Sequence, residues 1–74
     1  MTAFAQSLLI NSFAKKNTVI IRHMSPSRIG FNTHLLVMSD HHCQVKWYVS
    51  DEEWNDLDRL TAVLNHMFEE LVHP

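Results

Sequence analysis

Glycine, proline and cysteine are all scarce in this chain, and each scarcity closes a class of explanation. One Gly in 74 residues leaves no glycine-rich loop to cradle a phosphate. Together with only two Pro, it also argues against a flexible linker or low-complexity tail. The single Cys, Cys43, rules out an intramolecular disulfide, so no covalent staple supports the core and the chain suits a reducing compartment. No apolar run approaches the ~20 residues of a membrane span. Leu8-Leu9-Ile10 is short and has no basic residue before it, and no Arg precedes Arg22, so neither a signal peptide nor a transit peptide is expected. The expected location is the cytoplasm.

Acidic residues are nearly missing from the first 50 positions, where Asp40 stands alone against Lys15, Lys16, Arg22, Arg28 and Lys46. In the last 24 the balance reverses: Asp51, Glu52, Glu53, Asp56, Asp58, Glu69 and Glu70 face only Arg59. The formal charge of −2 therefore covers a divided molecule. Six His add a further layer, since protonating all of them would carry the charge from −2 to +4 near their ordinary pKa of ~6.5. Solvated loops account for most such histidines.

What is present fits one small domain over residues 1–74, with 46% hydrophobic residues to build a core. A chain this short is marginal alone, which favours self-association. Residues 3–14 read as a short helix, with a strand over 7–13 as the alternative, and Phe4, Leu8 and Asn11 would share one face. Thr18–Met24, Phe31–Met38 and Cys43–Val49 read as three strands, separated by Ser25-Pro26-Ser27 with Gly30 and by Ser39-Asp40-His41-His42. Pairing Leu35 with Trp47 gives a core face of Val19, Ile21, Phe31, Leu35, Val37, Val45, Trp47 and Val49. It leaves Ile20, Arg22, Asn32, His34, Leu36, Met38, Gln44, Lys46 and Tyr48 on the other face.

The final helix has the clearest signal. Ser50 with Glu53 three positions on is a capping box, and Asp51, Glu52 and Glu53 suit the first turn. Trp54, Leu57, Leu60, Leu64, Met67 and Leu71 then recur at helical spacing, widened by Val63 and Phe68. A helix over 51–72 would span ~33 Å, against ~24 Å for a seven-residue strand. Its end, carrying Met67, Phe68, Leu71 and Val72, should overhang the sheet. Either the segment with Phe4, Leu8 and Leu9 or a second subunit would cover it, which makes those four residues the self-association candidates.

Chemistry-bearing motifs are thin. Asp40-His41-His42-Cys43 has metal-binding residue types, but zinc needs three or four converging ligands, and these follow one another along a turn. The same Asp-His-His string is too short to place the chain among the DHH phosphoesterases, which need several separate acidic and His motifs. Cys43 beside His41 and His42 offers no enclosed nucleophile–base pair. No catalytic residue, cofactor or metal is expected. The architecture expected is α+β: a three-stranded antiparallel meander with a long C-terminal helix on one face and a short N-terminal helix or strand. The function expected is that of a non-enzymatic protein-binding module, of the kind found among phage and mobile-element accessory proteins and inhibitors. Asp56, Asp58 and Glu52 would engage a basic partner surface, while Ile20, Leu36, Met38 and Tyr48 form an apolar patch with a polar rim. The alternative is a single-stranded nucleic-acid binder using Arg22, Lys46 and Tyr48. A metal unit at His41, His42 and Cys43 ranks third.

Overall fold

A computed structural model describes residues 2–30 and 32–73. The elements run α1 (Thr2–Asn17), β1 (Ile20–Met24), α2 (Pro26–Ile29), β2 (Thr33–Ser39), β3 (Gln44–Ser50), α3 (Asp51–Trp54) and α4 (Leu57–Val72). The strands form one antiparallel sheet in the order β1-β2-β3. This is the expected α+β meander, and the ambiguous N-terminal segment is a helix of 16 residues.

The faces of β2 are the reverse of those expected. Leu36 lies opposite Trp47, Met38 opposite Val45 and His34 opposite Val49. The core face therefore takes Leu36 and Met38, both 0% exposed, while Leu35 and Val37 turn to the other side. The cause lies in the β2–β3 turn. The Asp40 carboxylate accepts from the backbone N–H of His42 at 2.8 Å and of Cys43 at 2.7 Å. The Asp40 N–H in turn donates to the Cys43 carbonyl. Cys43 is thus held in the turn, pairing starts at Ser39–Gln44, and the register moves by one residue. Leu35-Leu36-Val37-Met38 is apolar on both sides, so alternation alone does not choose its face. The β1 and β3 assignments stand: Ile21, Val45, Trp47 and Val49 all belong to the core face. Phe31, also assigned there, lies outside the described residues.

The C-terminal helix is broken in two. Ser50 forms the capping box with Glu53, but Asp56 then acts as a second N-cap, accepting from the N–H groups of Asp58 and Arg59. Asn55 closes the first piece, donating from both its backbone and its side chain to the Asp51 carbonyl. The Trp54 carbonyl at the break accepts from buried Gln6 on α1 at 2.6 Å. Gln6 Oε1 is left without a partner among the described residues. The break turns Leu57 outward to 43% exposure, whereas continuous periodicity had placed it in the stripe.

The break also removes the overhang. Sixteen residues of α4 span about 24 Å, the length of a seven-residue strand. Leu60, Val63, Leu64, Met67 and Leu71 are buried. α1 covers the far end with Leu9, Ile10 and Phe13, the Phe13 ring meeting Phe68 edge-on at 6.0 Å. Met67 and Leu71 are therefore buried within the chain rather than offered to a second copy, and Phe68 is half-buried. Only Val72 of those four is exposed. Phe4 and Leu8 point away from the core.

Candidate functional site

α1, α3 and α4 all send side chains into the core on the Leu36–Met38 face of the sheet. On the opposite face the register builds three rows across the strands: Ile20–Ser39–Gln44, Arg22–Val37–Lys46 and Met24–Leu35–Tyr48. The one-turn helix α2 packs against β2, yet Ile20 stays 64% and Tyr48 63% exposed. A trough of about 320 Å³ runs over Leu35 and Val37, walled by Arg22, His23 and Met24 on one side and Gln44 and Lys46 on the other. Ile20 also borders a hollow of about 390 Å³ between the end of α1 and the β2–β3 turn. Isolated exposed apolar residues are ordinary on a protein surface; a contiguous set with a polar rim is the mark of a contact surface.

Of the expected patch residues, Ile20 and Tyr48 lie on this face. Leu36 and Met38 do not, because the register buries them. Their places are taken by half-buried Val37 and, beneath the surface, by buried Leu35, which only the turn geometry could have identified. Arg22, Lys46 and Tyr48 do share the face.

The acidic residues are mostly occupied elsewhere. Asp51 meets His34 at 3.0 Å, Glu53 holds the Ser50 cap, and Asp56 caps α4. Glu70 meets His66 at 3.1 Å and Glu69 meets His73 at 4.0 Å. Glu52 and Asp58 are exposed and make no side-chain bond or ion pair among the described residues.

A second cluster lies within the helix-covered side, built from residues no motif had singled out. His23 Nε2 is 2.8 Å from His34 Nδ1, and His34 Nε2 is 3.0 Å from Asp51 Oδ1. His34 is buried, whereas His23 is exposed. The Trp54 ring stacks on both, with centroids at 4.0 Å from His23 and 4.4 Å from His34. Partial desolvation of the His23 ring, stacked on Trp54, and then the neighbouring His34 hold its pKa below the ordinary value. If both rings were protonated, all four nitrogens would be donors and the bond between them would be lost. The only sequence signal was weak: a His at alternate positions on each of two paired strands.

In the β2–β3 turn the backbone N–H groups of Cys43 and then His42 hold Asp40 below the usual carboxylate range. His41, His42 and Cys43 are exposed. Among the described residues no three His, Cys, Asp or Glu side chains converge as metal ligands, and no helix is long and apolar enough to cross a membrane. No protein-family model matches the chain, and neither a curated protein nor a solved structure matches it.

Proposed function

We propose that this chain is a non-enzymatic protein-binding module whose contact surface is the open face of the sheet. One observation carries the reading: Ile20, Met24, Val37 and Tyr48 form an apolar surface rimmed by Arg22, Gln44 and Lys46, while the helices fill the other side. Burial of the apolar rows would supply affinity, and the rim would set orientation. The basic partner surface expected from the acidic helix now rests on Glu52 and Asp58, since the Asp56 carboxylate is engaged in capping. Both lie on the helical side, away from the open sheet face.

Photo-crosslinking tests this. A photoreactive residue at position 48 should capture a protein in cells of the native source, while one at exposed Ala62 on α4 should not. Capture only at position 62 would refute the reading.

The nucleic-acid alternative keeps one supporting observation, the sharing of a single face by Arg22, Lys46 and Tyr48. Fluorescence anisotropy with short oligo-dT and oligo-U at low salt addresses it, and a flat titration would remove it.

A further inference from the structure

We infer that the open sheet face takes an acidic protein segment, one that places an apolar side chain in the central trough with carboxylates on either side. This rests on the reading of that face as a protein-binding surface and adds the partner's charge. The register puts no acidic residue on the face. Among the described strand residues its only permanent charges are Arg22 and Lys46, which lie in one row at the two ends of Val37; Lys15 and Asp40 border the separate hollow beside Ile20. Neither forms an ion pair among the described residues. With strands ~4.8 Å apart, the two Cα positions of that row are separated by ~10 Å. That leaves room for one apolar side chain between two cationic arms. A partner of opposite sign would be steered to the trough and would neutralise both charges as it closes over Val37.

Other occupants fit less well. A second copy docked sheet to sheet by a two-fold axis would press Arg22 and Lys46 against themselves. Single-stranded nucleic acid would satisfy the two cations, but its bases need aromatic platforms. The floor here is Leu35 and Val37; among the described residues the one ring lining the trough is that of His23, already stacked on Trp54, and Tyr48 stands beside the trough.

The test is a selection of peptides from a displayed random library on the intact chain, followed by binding titrations with the synthesised winners. Three proteins are compared: wild type, Arg22→Gln/Lys46→Gln and Ile20→Ser/Tyr48→Ser. All four positions are exposed, so the variants should keep the wild-type circular dichroism. The expected winners carry Asp or Glu on both sides of an apolar residue. They should lose about tenfold in affinity to the Gln variant, the size that two exposed ion pairs supply, and bind more weakly as salt rises. They should also fail on the Ser variant. Neutral or basic winners that fail on the Ser variant yet ignore the Gln variant would overturn the charge assignment and leave the protein-binding face standing. Winners indifferent to both variants would overturn the two together. So would an oligo-dT ligand bound more tightly than any peptide. A dimer in light scattering that the Ser variant dissolves would mean that a second copy occupies the face.

Discussion

At the scale of single residues, the Asp56 carboxylate accepts from the N–H groups of Asp58 and Arg59, so its negative charge sits where the start of α4 needs an acceptor. Asp56→Ala should lower stability by about 1 kcal/mol, the usual cost of losing an N-cap. Asp58→Ala, which removes no side-chain bond, should cost much less. Urea denaturation of the two variants checks the difference, and equal losses would deny Asp56 its capping role. The histidine pair is a residue-scale device of another kind. The folded His23 has a lowered pKa, so below pH ~6.5 the unfolded chain takes up a proton that the folded chain resists. Stability from this site is therefore complete above that pH and falls as the pH drops toward the folded value. The urea midpoint should fall between pH 7.5 and pH 5, and His23→Gln should reduce the fall. An unchanged fall in the variant would show that other groups carry it. In the core, Leu36→Ala should cost about 3 kcal/mol, as a cavity beneath the helices.

At the scale of elements, α1 ends in a Schellman motif: the Val19 N–H donates to the Ala14 carbonyl, and Thr18 sits at φ 55, where glycine is usual. A β-branched residue is strained there. Thr18→Gly should therefore raise stability by roughly 1 kcal/mol, or about 5 °C in Tm for a domain of this size. A lower Tm in calorimetry would contradict this account of the cap. The same local view explains what could be read in advance. The Ser50–Glu53 capping box, the α4 stripe from Leu60 onward and the alternation of Val45, Trp47 and Val49 each carry one unambiguous signal, and each appears as expected. β2 does not, because four successive apolar residues fit either face, and the choice falls to the hydrogen bonds of Asp40. The helix break was hidden for a similar reason: Trp54, Leu57 and Leu60 keep helical spacing across Asn55-Asp56, although both of those residues favour caps over helix interiors.

At the scale of the whole molecule, charge follows structure in part. α3, α4 and their junction carry every acid but Asp40, most of them engaged in caps or with histidines, while Lys15 and Lys16 lie on α1, Arg59 on α4, and Arg22 and Lys46 flank the apolar trough of the sheet. The division was legible in the sequence; its use was not, because which carboxylates remain unengaged depends on tertiary contacts such as Asp51–His34. The candidate site was legible in part, through Ile20, Tyr48, Arg22 and Lys46, and misassigned at Leu36 and Met38, where it depended on the β2 register. The central claim is that the sheet face, rather than the acidic helix, makes the contact. Amide chemical-shift mapping of the labelled chain bound to its captured partner tests it most directly. Shifts centred on Arg22, Val37, Lys46 and Tyr48 are predicted, whereas shifts centred on Glu52 and Asp58 with the sheet face unmoved would contradict it.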